Sequence, residues 1–201
     1  MQTQIVVKYF LSCLYLYLIV RSGSALVLEF TAFNFQKFIF YGIFLWASLS
    51  IRDLTTLRLN PRIFFVTITH FTFPVFFDFN INSFSSLEIE VTCQILFSCG
   101  IAISTFAMLD LGKSFALFPG HSKLVHLGLY KFVRHPIYLG YVFLIMSIVI
   151  ANSSPRNWAL AVVFLILTDV RIKMEEAAML EEKSYLSYKS NVPYRLFPWI
   201  Y

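Results

Sequence analysis

Six side chains in the C-terminal half of this chain are of types that can bind a small charged ligand and act on it. Arg134, His135 and Tyr138 lie in one stretch, and Arg171, Glu175 and Glu176 lie in another. Arg134 and His135 stand where a basic, polar segment meets a long apolar run that starts at Pro136. Proline is well tolerated at the first position of a helix, because its missing N–H would be unpaired there and its φ is already helical. A helix opening at Pro136 therefore offers free backbone N–H groups and the positive end of its dipole, which together make an anion site. Tyr138 and Tyr141 add aromatic faces one turn apart, so the stretch suits a small ligand bearing both an anionic group and a cation. The plainer reading is that Arg134 and His135 anchor a membrane helix at headgroup level. Arg171 and Glu175 are spaced to share one helix face, although the glutamates and lysines of 171–190 also read as a solvated face.

The elements that must position these groups follow from composition. The chain has 201 residues, of which 58% are apolar, 18% aromatic and only 13% charged, whereas soluble domains carry about a quarter charged residues. A soluble fold with this deficit would expose large apolar patches, so the composition indicates an integral membrane protein. The formal surplus of five positive charges is no nucleic-acid signature in such a chain, because basic residues gather in cytosolic loops. Cys13, Cys93 and Cys99 all fall within apolar runs, show no C-x-x-C spacing, and read as small buried hydrophobes rather than a disulfide or metal framework.

Helices of about 20 apolar residues cross a bilayer, and candidates lie near 4–20, 34–51, 62–80, 91–110, 136–152 and 156–170. Arg52, Arg58 and Arg62 fill one loop, Glu88 and Glu90 the next, and Lys113, Lys123, Lys131 and Arg134 the one after. Arg171, Lys173, Lys183, Lys189 and Arg195 follow the last span. This alternation places 52–62, 111–135 and 171–201 in the cytosol. Six spans with both termini cytosolic satisfy it. Lys8, Arg21, Glu29 and Lys37 interrupt the first two spans, so five spans with an interfacial N-terminal segment is the alternative. The first 25 residues also have the outline of a signal peptide, but a first span fits the alternation better. The apolar runs are continuous, unlike the alternating strands of a membrane barrel. The expected fold is thus all-α: a polytopic transmembrane bundle of five or six spans, with a C-terminal cytosolic amphipathic helix over 171–190. Residues 1–110 carry little chemistry. His70 reads as a buried histidine bonding a backbone carbonyl, and Asp78 and Asp110 receive no role. The chemistry belongs to 111–201, where the tight turn Asn152–Pro155 makes spans five and six antiparallel neighbours and so brings the two reactive stretches to one rim.

The residues of this region resemble the isoprenylcysteine carboxyl methyltransferase family and its wider membrane-methyltransferase relatives, which include phospholipid methyltransferases. The matching residues are Leu111-Gly112-Lys113-Ser114, Leu124-Val125, Gly128 and Tyr130, then Val133-Arg134-His135-Pro136 with Tyr138 and Gly140. After the hairpin come Arg171 with Glu175-Glu176, then Tyr185, Tyr188, Tyr194-Arg195-Leu196 and Pro198. Relatives often carry Phe-Gly beyond the glutamate pair, where this chain has Glu182-Lys183-Ser184. The resemblance implies S-adenosylmethionine as methyl donor. It places that cofactor against Lys123, Leu124, Val125, Tyr130, His135, Pro136, Ile137, Tyr138 and Glu175, and it assigns Arg171 to the acceptor as the catalytic residue. No metal and no nucleic acid enter. No Gly-x-Gly occurs in the chain, so a soluble Rossmann-type donor site is excluded.

The implied acceptor is lipophilic, first of all the carboxylate of a prenylated cysteine, entering from the surrounding membrane lipid. A phospholipid amine or a small thiol are the alternatives within the enzyme class. A non-catalytic scaffold or small transporter is the reading of another class. A transporter would be expected to place polar groups at the membrane midplane, whereas here they gather at the cytosolic edge. The localisation implied is a multi-pass membrane protein with its active site and its C-terminus on the cytosolic side.

Overall fold

The computed structural model describes residues 2–49, 61–77, 86–112, 124–180 and 182–200, and among these every regular element is a helix. The chain divides into two compact units, 1–59 and 60–201. The first is a helical hairpin of α1 (Gln2–Leu28) and α2 (Ala32–Leu49). α1 overruns the expected 4–20, passing through Arg21 and the following Ser-Gly-Ser-Ala to end at Leu28. Thr31 then caps α2 by accepting the Asn34 N–H at 3.1 Å. The two helices run antiparallel, with Ser12 against Ser48 (3.0 Å between hydroxyl oxygens) and Tyr15 against Phe44. A hydroxyl pair buried between apolar helices is a typical interhelical bond in lipid.

The second unit holds α3 (Pro61–Thr72), α4 (Leu87–Leu111), α5 (Pro136–Ala151), α6 (Pro155–Met179) and α7 (Lys183–Asn191), with 3₁₀ turns at Phe73–Phe76 and Gly128–Lys131. The expected span at 62–80 is interrupted: the α-helix stops at Thr72, and Pro74, which lacks an N–H, lies in the 3₁₀ turn that follows. α4 and α5 pack antiparallel along most of their length, and the reason is local. A Cβ on Gly100 would meet the carbonyl of Gly140 at 2.8 Å, and one on Gly140 would meet the carbonyl of Gly100 at 2.8 Å. These two glycines let the backbones touch, as small residues do between membrane helices. Ser147 donates across the same seam to the Cys93 carbonyl at 2.8 Å. Of the cysteines, only Cys93 is buried; Cys13 and Cys99 lie on outer faces.

Among the described residues, two helices are long and apolar enough to cross a membrane, Lys8–Leu28 and Leu87–Leu111. α5 has 16 residues, which at about 1.5 Å each gives about 24 Å, short of the hydrocarbon thickness of about 30 Å. The turn from α5 into α6 forms as its residues dictate: Ser154 accepts the Asn157 N–H at 3.2 Å, and Pro155 takes the first helical position. The buried face of α6 passes from Ala161 and Phe164 through Thr168 to Arg171, Ile172 and Glu176, so one helix stripe changes from apolar to charged along its length.

The single helix expected over 171–190 is two. α6 ends at Met179 with three-residue bonds (Leu180 N–H to Ala177 O, 3.4 Å; Glu182 N–H to Met179 O, 3.1 Å), and α7 begins at Lys183. The break turns Tyr185 and Tyr188 inward, where with Val192 they form a small core covered by Leu124 and Met179.

Candidate functional site at the rim of the α5–α6 hairpin

The α5–α6 hairpin brings the first turn of α5 against the last two turns of α6. Tyr138 is the hinge of the contact. Its hydroxyl donates to Glu175 Oε1 at 2.5 Å and accepts from Arg171 Nε at 2.5 Å. Arg171 Nε also lies 3.1 Å from Glu175 Oε1, the i,i+4 pair read from the sequence. The Arg171 guanidinium sits over the Phe71 ring of α3, 5.0 Å from its centroid. His135 closes the group, with Nδ1 3.7 Å from Glu175 Oε2.

Beside this first carboxylate stands a second, more deeply buried one. Glu176 Oε1 accepts from Arg134 Nε at 2.9 Å and lies 3.3 Å from His135 Nε2, while its Oε2 accepts from Arg195 Nη2 at 2.8 Å. Burial raises the Glu176 carboxyl, but hydrogen bonds from His135 and Arg195 and the charge of Arg134 outweigh it and hold the group far below the usual glutamate range. The tail completes the arrangement. Arg134 Nη1 donates to the carbonyls of Val192 (2.8 Å) and Pro193 (2.5 Å). The backbone N–H groups of Arg134 and His135 donate to Tyr194 and Arg195 carbonyls, both at 2.9 Å. Arg134 therefore fills nearly its whole donor fork inside the protein, as a structural cation must.

Of the residues singled out in the sequence, His135, Tyr138, Arg171 and Glu175 are joined directly, with Pro136 and Ile137 buried in the same first turn. Tyr130 is buried in the 3₁₀ turn Gly128–Lys131, its carbonyl accepting from the Tyr188 hydroxyl at 2.7 Å. Burial and the Glu175 charge both push its phenol up, so it stays protonated. Leu124 lies elsewhere, against the Tyr185–Tyr188–Val192 core, and Val125 is half-buried next to it in the chain. Lys123 lies outside the described residues, as does Asp78.

Two features went unread in the sequence. The pairing of Glu176 with Arg134 and Arg195 was one, because nothing in spacing shows that the tail folds back beside residue 134. Asp110 was the other: it accepts the Leu129 N–H at 3.0 Å. His70 is buried as expected but bonds the Thr168 hydroxyl (3.0 Å) rather than a backbone carbonyl, and it stacks on Phe164. Thr168 itself donates to the Phe164 carbonyl at 2.8 Å, so the His70 Nε2 carries the proton. Among the described residues no cluster of three His, Cys, Asp or Glu side chains has metal-binding geometry.

A cleft of about 470 Å³ opens against α6 next to this rim, lined by Leu165, Thr168, Asp169, Lys173, Arg195 and Leu196. It shares Arg195 with the Glu176 centre.

Compared with known proteins, residues 92–181 match the model of the isoprenylcysteine carboxyl methyltransferase (ICMT) family, a segment running from α4 through α6. Comparison with curated proteins gave no match.

Proposed function

From the premise that residues 92–181 carry an isoprenylcysteine carboxyl methyltransferase-like region, membrane-associated as that family is, we propose that the protein is a multi-pass membrane methyltransferase. It uses S-adenosylmethionine to methylate the carboxylate of a lipophilic acceptor, a prenylated cysteine before any other, at a site on the cytosolic rim. The observation that carries this reading is the Tyr138–Arg171–Glu175 group joined to His135 where α5 meets α6.

The residues present fit the donor. The first backbone bond of α5 runs from the Leu139 N–H to His135 O, which leaves the Ile137 and Tyr138 N–H groups ahead of the helical ladder. The His135 side chain does not cap them. They are available to a carboxylate, and the helix dipole favours one there. Glu175 is 21% exposed, against 2% for Arg171 and 5% for Glu176. It is therefore the carboxylate open to an incoming amine or hydroxyl. Tyr130 and Tyr138 supply aromatic faces for a cation, worth about 0.5–2 kcal/mol per contact.

When bound, S-adenosylmethionine supplies a methyl group on a sulfonium for a single in-line displacement. A carboxylate acceptor is ionised at neutral pH and needs no general base, so the work left to the protein is positioning and the exclusion of water. Arg171 presents the fork that orients such a carboxylate. The neighbouring cleft supports an amphiphile, since Leu165 and Leu196 give it apolar wall beside the ion pairs of Lys173 with Asp169 and of Arg195 with Glu176.

The test is purified protein in lipid discs with methyl-labelled S-adenosylmethionine and, separately, a prenyl-cysteine, a phosphatidylethanolamine and a small thiol. Label is expected in a base-labile ester of the prenyl-cysteine. Label in the other two reassigns the acceptor, and label in none overturns the enzyme reading. Arg171→Ala is expected to abolish transfer while donor binding persists. Tyr138→Ala and Glu175→Ala are expected to weaken donor binding, and unchanged affinity in both ends this site assignment.

A further inference from the structure

Asp110 stands in the last turn of α4, where the negative end of the helix dipole disfavours a carboxylate. A residue in that place needs a compensating contact, and it has one: its Oδ2 accepts the Leu129 N–H at 3.0 Å, across 19 residues of chain. The neighbouring Gly128 has φ +58, a conformation that side-chain-bearing residues rarely adopt. A Cβ there would land on the Asp110 carboxylate itself, on Cγ and both oxygens. Glycine at 128 is thus required twice, by its backbone angle and by the carboxylate that occupies its side-chain space. On the far side of the same turn, the Tyr188 hydroxyl of α7 donates to the Tyr130 carbonyl at 2.7 Å. The turn that buries Tyr130 is held at Leu129 by α4 and at Tyr130 by α7.

We infer that Asp110 is a positioning residue of the methyl-donor site: with Gly128 it fixes the Gly128–Lys131 turn and so sets the Tyr130 ring against the donor. The inference rests on the proposed function for the identity of the ligand, and on the bond geometry for the device itself. Asp110 touches neither donor nor acceptor; it acts through Tyr130. Its loss therefore shows in donor capture rather than in the displacement step.

The experiment uses the full chain in lipid discs, comparing wild type with Asp110→Ala, Asp110→Asn and Gly128→Ala. Two quantities are read: amide hydrogen exchange across 128–131 without donor, and KM and kcat for S-adenosylmethionine. Asp110→Ala and Gly128→Ala are expected to speed exchange across the turn and to raise donor KM about tenfold or more, the loss of one charge-assisted bond. The kcat at saturating donor stays within about twofold, the pattern of lost binding rather than lost chemistry. Asp110→Asn keeps an acceptor oxygen for the Leu129 N–H and is expected to recover most of the wild-type KM. Unchanged exchange and KM in Asp110→Ala, or equal falls in kcat and kcat/KM, overturn the inference. If wild-type protein takes up no donor, the proposed function falls, and the exchange data alone decide whether Asp110 holds the turn.

Discussion

Glu176 carries more of the site's order than its neighbour Glu175. Its two oxygens answer Arg134, His135 and Arg195 while its side chain is only 5% exposed. Removing one partner of a buried ion pair costs about 3–5 kcal/mol, because the remaining charges are left without compensation. Glu176→Gln is therefore expected to lower the unfolding temperature at pH 7 far more than any substitution of an exposed glutamate. The pH dependence has a definite sign. The folded state holds the Glu176 carboxyl well below its ordinary value of 4.5. Its stabilisation is fully present above that value and is lost as pH falls below it towards the folded pKa. Wild-type protein in detergent should lose thermal stability progressively below about pH 4.5, and Glu176→Gln should show a flatter profile over the same range. Equal slopes in the two proteins would remove Glu176 as the cause. At this scale the sequence was legible where partners lie one helical turn apart. Arg171 with Glu175 could be read from their spacing, and Tyr138 from its place after Pro136. Arg195 with Glu176 could not, since no periodicity links a tail residue to a helix that ends before it. Asp110 with Leu129 failed for the same reason: a carboxylate near a helix end has an ordinary explanation in solvent, and only the fold reveals the amide it accepts.

At the scale of elements, the hairpin of α5 and α6 was readable because Asn152–Pro155 leaves the chain no room except to reverse. The α4–α5 contact was not, because Gly100 and Gly140 in apolar runs carry no pattern that separates a close crossing from lipid-facing filler. The two glycines provide a direct check. A methyl group on Gly140 would press on the Gly100 carbonyl at 2.8 Å, and one on Gly100 would press on the backbone of Leu144 at 2.9 Å. Backbone cannot swing aside as a flexible side chain can, so Gly140→Ala and Gly100→Ala are expected to destabilise by about 1–3 kcal/mol. Gly42, in α2, has nothing within 4 Å of its added carbon. Gly42→Ala is expected to be neutral or mildly stabilising, since alanine favours a helix by about 0.8–1 kcal/mol. Thermal unfolding of the three variants in one detergent decides the matter; similar losses at all three positions would show that the α4–α5 crossing is looser than described. The end of α6 at Met179 and the fresh start of α7 at Lys183 escaped the sequence because the charged pattern of 171–190 continues through both. What divides the helix is the burial of Tyr185 and Tyr188 against Leu124, a contact from a distant part of the chain.

At the scale of the whole molecule, the helical class was legible from the continuous, non-alternating apolar runs. The span count is a different matter. Among the described residues, the two helices that meet the length and hydropathy of a crossing are Lys8–Leu28 and Leu87–Leu111, while α5 is short and α6 ends in charge. A short apolar helix is accommodated by local thinning and by flanking side chains that reach the interface. The proposed orientation makes a definite prediction about sidedness. A cysteine placed at Ser153, in the α5–α6 turn, should react with an impermeant maleimide only from the side opposite the cytosol. One placed at exposed Lys183, at the start of α7, should react only from the cytosolic side. Labelling of both from one face in sealed vesicles would mean that the hairpin does not cross.

The return of residues 192–195 alongside Arg134 and His135 has a consequence for biosynthesis. That segment is synthesised only after both limbs of the hairpin. The imidazole and guanidinium at the hairpin's entrance thus wait, half-dressed, until late in translation. Until that segment is made, Arg134 lacks the Val192 and Pro193 carbonyls and Glu176 lacks Arg195, so the charged centre at this rim is the last part of its unit to close.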